Sequence, residues 1–410
     1  MSKEIKNWTE YKESLLDGLH ESHKVMMNCL FENVHKENVA TLDDSTENNK
    51  VLVESTSPGS TVTSNISRYD TMFMPLARRT MPALLAMELV GVQAMSTPTG
   101  IVRTIRNRYS EETLATTAGA VAVAKNTEAS GMNVYDKYSM LALGGDYDDV
   151  DNLDPFAQTV YLEGNRGKPM DIEVVTDRAE TKSRKLSAAW SLETGDDLQA
   201  LDGLDVQAEL NTSLSDEILR EKDRELITNL TGLAGTVESF DFLTVDGRYA
   251  GEKLAALTIQ IDNLNAQIAM KTKRSGATWM VVGQRVFTAL KHASNSSFVP
   301  ANGGELSIMS SLFVGIFGAG VKVFVDPYAD GDTILMGRKG SNLDTGYFYL
   351  PYVPMSSSGA VRNPETGDFR ILMRTRYGLY AATDPTKSLG DAPDHYARMT
   401  VSNLTLGFTN

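Results

Sequence analysis

TKSRKLSAAWSLETGDDLQALDGLDVQAELNTSLSDEILREKDRELI, residues 181–227, opens the longest helical pattern in the chain. Leu210, Leu214 and Ile218 recur every four residues, and Leu226 and Leu230 resume the series, so one apolar stripe predicts a helix over 204–231. REKDRE, at 220–225, sets six charges between the two halves of the stripe. It reads as a solvated face, with Asp216 and Arg220 at i,i+4 spacing for pairing.

Outward from this helix the pattern becomes mixed. Downstream, Leu254, Leu257, Ile261, Leu264 and Ile268 predict a second helix over about 253–271. TWMVVG (278–283) and VKVFVDPY (321–328) read as strands, the latter with Val321, Val323 and Val325 on one face, and QRVFTALKHA (284–293) reads as a helix. FRILMRTRY (369–377) is the last long strand: Phe369, Ile371, Met373 and Tyr377 face one way, and Arg370, Arg374 and Arg376 the other. Upstream, IVRTIRNRY (101–109) is a strand carrying Arg103, Arg106 and Arg108, and 110–178 reads as a long loop or hairpin excursion. Pro75 suits the start of a short helix and Gly91 the end of the next, after MPALLAMELV. The expected class is α+β.

Residues 1–54 differ in composition. They hold the single cysteine, Cys29, and three of the five histidines, His20, His23 and His35, with one glycine and no proline. Trp8, Tyr11, Leu15, Leu19, Met26, Leu30 and Val34 predict an amphipathic helix over roughly 4–38, followed by the polar TLDDSTENNK at 41–50. Six lysines stand against eleven acids in this segment, which is either a helical oligomerisation arm or a detachable piece. STSPGSTVTSNISRYD, at 55–70, is too polar to build a core and reads as an extended arm.

Composition excludes several functions. With 410 residues, 41% of them apolar and 22% charged, the chain has material for two or three domains and is not globally disordered. A net charge of -14 opposes broad, non-specific binding to nucleic acid. One cysteine permits neither an intrachain disulfide nor a cysteine metal site. MSKEIKNWTEYKESLL has no signal-like apolar core, and no apolar run reaches the ~18 residues of a membrane span, so a reducing compartment and no membrane are expected.

Catalytic patterns are scarce. Beyond residue 54 only His292 and His395 remain, neither with a partner at ligand spacing, and GxSxG, HExxH and CxxC do not occur. GRKGS (337–341) lacks the glycine spacing of a phosphate loop and reads as a turn. GGDYDDVDNLDP (144–155) offers Asp146, Asp148, Asp149, Asp151 and Asp154 as oxygen ligands for a hard cation. It lacks the sixth-position Gly and twelfth-position Glu of a calcium loop, so a solvated acidic loop is the preferred reading. No metal, cofactor or catalytic residue is expected. Three basic clusters remain: Arg78-Arg79, Arg103/Arg106/Arg108 and Arg370/Arg374/Arg376. They lack the interleaved aromatics of a nucleic-acid groove, and the guanidinium fork suits bidentate pairing with acids on neighbouring subunits.

Five segments in order, spaced between residues 74 and 378, resemble T4-like major capsid proteins of tailed bacteriophages. They are MPLARRTMPALLAMELVGVQAMSTPTGIVRTIRNRY (74–109), the stretch 181–227, VGIFGAGVKVFVDPYADGDTILMGRKG (314–340), GYFYLPYVPM (346–355) and RTRYG (374–378). The resemblance implies the HK97-like capsid fold: an N-arm at 55–75, the start of a P-domain at 76–100, an E-loop region at 101–180, the P-domain with its spine helix at 181–250, mainly A-domain at 251–355, and a return to the P-domain at 356–410. The inserted domain that family members carry in the E-loop region is reduced or absent here. The implied function is a non-enzymatic shell of homo-hexamers forming an icosahedral or prolate head that encloses double-stranded DNA without reading its sequence. The implied partners are a vertex capsid protein, a portal, an internal scaffold, a maturation protease and a cement or decoration protein. The head would assemble in the host bacterial cytoplasm and the protein would reside in the virion.

Family members are cut after a Glu that follows hydrophobic-x. Leu52-Val53-Glu54 matches, so the resemblance implies a cut before Ser55, at the compositional boundary already noted, with residues 1–54 as a propeptide that contacts scaffold. Three rivals stand beside this reading. A pentameric vertex paralogue differs by its place in the particle, an encapsulin-like compartment lacks a detachable segment, and a cytosolic enzyme needs a pocket of converging titratable groups.

Overall fold

A computed structural model describes residues 12–19, 23–34, 84–109, 170–203, 205–243, 249–272, 275–293, 298–300, 312–318, 320–329, 331–357, 360–362, 367–383 and 392–404. The front of the chain is not one continuous helix as the periodicity predicts. Helices α1 (12–16) and α2 (23–34) are separated at Gly18, whose φ of 77° lies in the left-handed region where a side chain is disfavoured. A short helix α3 (Ala86–Leu89) precedes strand β1 (Gly91–Val92). Gly91 is therefore not a helix cap: it pairs with Phe348, and a Cβ there would come within 2.8 Å of the Asn342 carbonyl oxygen. Glycine is required by close backbone approach rather than by handedness.

Strands β2 (Thr99–Tyr109) and β3 (Met170–Glu180) pair antiparallel along their whole length, so the expected excursion leaves and returns as a two-stranded ribbon. Strand β4 (Lys182–Trp190) follows, then helix α4 (Leu192–Asp202) and helix α5 (Val206–Leu233). The predicted 204–231 helix is α5. Its start is fixed by Asp205, whose side chain accepts from the Gln207 N–H at 3.0 Å and so satisfies one of the orphan donors of the first turn. Leu214, Ile218, Leu226 and Leu230 are buried along it, as the stripe requires. Helix α6 (Ala250–Thr272) buries Leu257, Ile261, Leu264 and Ile268 completely.

Among the described residues the strands form three sheets. The remaining strands are β5 (Thr236–Asp241), β6 (Trp279–Gly283), β7 (Phe298–Pro300), β8 (Leu312–Phe317), β9 (Val321–Asp326), β10 (Thr333–Gly337), β11 (Tyr347–Ser357), β12 (Val361–Arg362), β13 (Phe369–Ala381) and β14 (Tyr396–Ser402). One sheet of five strands runs β1-β11-β13-β12, with β4 also paired to β13. A mixed sheet of seven runs β5-β14-β10-β6-β9-β8-β7. The β2–β3 ribbon is the third.

Two cores follow from this layering. Helices α6 and α7 (Gln284–Ala293) cover one face of the seven-stranded sheet, burying Met280, Val282, Val323, Ile334, Met336 and Met399. The opposite face presents Trp279, Val281, Phe324 and Leu335 to a second core, shared with α2, α3, α5 and the five-stranded sheet. Cover on both faces explains why Phe324 is buried beside Val323 and Val325, where simple alternation would leave it exposed.

Candidate subunit-contact surface

Strand β13 lies between β4 and β11, and its two faces differ sharply. Ile371, Met373, Thr375 and Tyr377 point inward and are buried, as the alternation predicts. Register places the outward positions Arg370, Leu372, Arg374 and Arg376 opposite Ala189, Ser187, Lys185 and Ser183 of β4. The outward positions of these two strands thus hold four cations, Lys185, Arg370, Arg374 and Arg376, and no acid. Arg370 donates to Ser187 Oγ at 3.1 Å. The Arg376 guanidinium lies 5.0 Å from the Tyr352 ring centre, in cation–π geometry. Lys185, Leu372, Arg374, Ser356 and Ser357 line a shallow depression of about 250 Å³.

Lys185 is the functional candidate that the sequence reading omits. Its signal is the alternation Ser183, Lys185, Ser187, Ala189 against Arg184, Leu186, Ala188, Trp190, which can be placed only once β4 is known to pair with β13.

The inward face differs from expectation at REKDRE. This run is not wholly solvated: Lys222 and Asp223 are buried between α5 and the five-stranded sheet. Lys222 Nζ donates to Thr375 Oγ1 at 3.0 Å and sits 5.1 Å from the Tyr377 ring centre. Thr375 Oγ1 in turn donates to the Val353 carbonyl at 3.3 Å, and Asp223 accepts from the Leu85 N–H at 3.2 Å. Burial pushes the Lys222 ammonium down to about 7, helped by Arg184 and opposed by Asp223 and Glu225. Nearer the surface, Arg184 pairs with Glu221 and with Glu225 (2.7 Å), and Tyr377 donates to Glu225 at 2.6 Å. Those pairs are about a third exposed and stabilise by only about 0.2–1 kcal/mol each.

On the ribbon, Arg103 is exposed, and its backbone is held by the Gln93 side chain through bonds of 2.9 and 3.1 Å. Arg106 and Arg108 stand in register opposite Glu173 and Asp171 of the same ribbon. Arg78, Arg79, Leu52, Glu54, Ser55 and the Asp146/Asp148/Asp149/Asp151/Asp154 loop lie outside the described residues.

GRKGS is not itself the turn: it leaves β10 at Gly337, bridges Thr345 at Lys339 and leads into the bend at 341–344. Arg338 bonds both oxygens of Asp344 (3.1 and 2.7 Å) and Ser275 Oγ (3.0 Å), and Lys339 Nζ donates to the Met87 carbonyl. Burial pushes Lys339 down to about 8. His395 is buried, its carbonyl accepting from the Arg338 N–H, while His292 is exposed. The two histidines do not converge.

The family model for the major capsid protein Gp23 matches residues 66–402. A major capsid protein of Vibrio phage KVP40 is 28% identical over 397 residues, spanning 77% of each chain. That of Enterobacteria phage T4 is 28% identical over 389 residues, spanning 75% of this chain and 74% of the relative, and that of Serratia phage KSP90 is 28% identical over 372 residues, spanning 82% and 81%. Among solved structures, the capsid of Myoviridae phage XM1 covers 76% of this chain and 89% of its own, at 11% identity and a TM-score of 0.40, and the capsid of cyanophage P-SCSP1u covers 78% and 89%, at 10% identity and 0.42.

The chain belongs to the Gp23 major capsid protein family. It is a structural, non-enzymatic component of a tailed-phage virion, and its work is self-assembly into a shell.

Proposed function

We propose that this chain builds the hexamers of a phage head in the HK97-like arrangement, with the cationic outward face of β4 and β13 as a contact between subunits. The five-stranded sheet with spine helix α5 serves as the P-domain, the β2–β3 ribbon as the base of the E-loop, and the seven-stranded sheet with α6 and α7 as the A-domain. On this proposal the A-domain takes in β5 to β10 and β14, which share one sheet, and β11 is assigned to the P-domain with its sheet partner β13. Enclosure of double-stranded DNA and contacts with a vertex protein, portal, scaffold and cement protein complete this reading.

The observation that carries it is the cluster of Lys185, Arg370, Arg374 and Arg376 on one sheet face of a protein with net charge -14. Neighbouring copies present an excess of carboxylates, so a concentrated cationic face has a ready complement in a second copy. Arg374→Glu is expected to raise the protein concentration needed for assembly at least tenfold, and Arg103→Glu to act in the same direction. Each should leave the unfolding temperature within a few degrees of wild type. Light scattering across a salt titration measures this, since added salt should weaken wild-type assembly more than that of the variants. Equal assembly by wild type and Arg374→Glu at every salt concentration removes the face from the interface.

Maturation is the second part of the proposal. A maturation protease cuts between Glu54 and Ser55, within Leu52-Val53-Glu54-Ser55, and the family match, which begins at residue 66, leaves that junction outside the shared body. N-terminal sequencing of shell protein from mature particles is expected to start at Ser55. Glu54→Ala should leave a start at Met1 or Ser2.

A further inference from the structure

Helices α1 and α2 lie within the proposed propeptide, yet they are part of the core. Met27, Leu30 and Phe31 are fully buried, and with Val34 they stand at i, i+3, i+4 and i+7, the spacing of a helix seated in a groove. They share one cluster with Leu84, Leu89 and Val90 around α3 and with Leu214 and Ile218 of α5. Leu15 of α1 is buried in the same cluster, and Leu16 and Leu19 pack against it. Polar contacts fix the depth of the seat: Asn33, itself buried, donates to the Met95 carbonyl at 2.7 Å and to the Tyr352 carbonyl at 2.9 Å, using both amide hydrogens. His23 and Met26 form one wall of a cleft of about 460 Å³ whose other walls include Glu88, Trp279 and Lys339. Val25 of α2 is 74% exposed, and Lys12 pairs with Glu32 within the segment at 3.1 Å.

We infer that the body carries a helix-receiving groove whose ligand is the chain's own segment 12–34, and that the segment stays bound after the chain beyond it is cut. The biological setting rests on the proposed maturation cut; the groove does not. A cut between α2 and α3 breaks one peptide bond by hydrolysis and touches none of the apolar contacts or the two Asn33 hydrogen bonds. Cleavage and release are therefore separate steps, and release exposes a buried apolar surface that the assembled shell must cover.

The test uses the full chain with an N-terminal affinity tag and a foreign protease site in place of residues 44–50. Unassembled subunits are cut to completion and captured by the tag under native conditions. The body is expected to remain on the column. Phe31→Asp should speed its loss at least a hundredfold, while Val25→Asp leaves retention unchanged. If Phe31→Asp yields no soluble chain, Asn33→Ala, which removes two hydrogen bonds without adding charge, should speed release at least tenfold. Flow-through of the wild-type body immediately after cutting overturns the inference, as does equal release by Val25→Asp and the core variant. Because the cut is engineered, failure of natural cleavage at Glu54 would sink the maturation reading and leave the groove standing.

Discussion

Lys222→Met stabilises the chain relative to wild type by about 3–4 kcal/mol more at pH 7 than at pH 10. The reason is the position of the ammonium between α5 and the sheet, where its charge is stripped of water and held by one hydroxyl and one ring face. Its folded value of about 7 lies below the 10.5 of an exposed lysine. Between those values the unfolded chain binds more protons than the folded one, so stability rises with pH across that window. The destabilisation is fully present below about 7 and gone above 10.5, a span on the order of 5 kcal/mol. Lys339 adds a slope of the same sign above about 8. Tyr347, pushed up to about 12 by burial, and the more deeply buried Tyr349 and Tyr396 act oppositely where unfolded tyrosine ionises, above about pH 10. The comparison is therefore made between pH 6.5 and 9.5, as the difference between variant and wild type, in which groups other than Lys222 cancel. Methionine fills the lysine stem's volume, and Thr375 keeps its bond to the Val353 carbonyl. Parallel pH slopes for the two proteins in chemical denaturation would show that Lys222 is not buried as described.

Arg338→Met is the opposite case and is expected to cost about 3 kcal/mol or more. The arginine is nearly inaccessible, with 5% of its side chain exposed, and its fork holds both oxygens of Asp344, of which 22% is exposed. Losing the cation removes both fork bonds to a largely buried carboxylate and the bond to Ser275 that ties the 338–344 segment to the one entering β6. Asp344→Asn in the same chain should recover part of the loss, because it lowers the charge left in a partly desolvated place. Denaturant unfolding of the two single variants and the double variant measures the coupling. Additive losses would mean that the pair does not act as a unit.

These two sites show where sequence reading ends. The stripes of α5 and α6 were legible because helical periodicity is local: Leu214, Ile218, Leu257 and Ile261 declare a buried face without any partner. The two-faced pattern of β13 was legible for the same reason. Lys222 and Asp223 were not, because a charged run on an amphipathic helix looks solvated until the sheet covering it is known. Lys185 was hidden likewise, since its alignment with Arg374 comes from strand register between segments far apart in the chain. Gly91 followed helix-cap chemistry in sequence but answers to a tertiary contact with the 342–345 loop. Residues 12–34 revealed their helical character and concealed their address. Amphipathic spacing announces that a face will be buried, not whether scaffold, neighbour or the chain's own body buries it.

Self-association into a shell is the central claim, and electron microscopy of the purified full-length chain, concentrated at low ionic strength, tests it most directly. Closed shells, tubes or hexameric rings are expected, and Arg374→Glu should need at least tenfold more protein to form them. Particles the size of one folded chain at every concentration and salt level would contradict it.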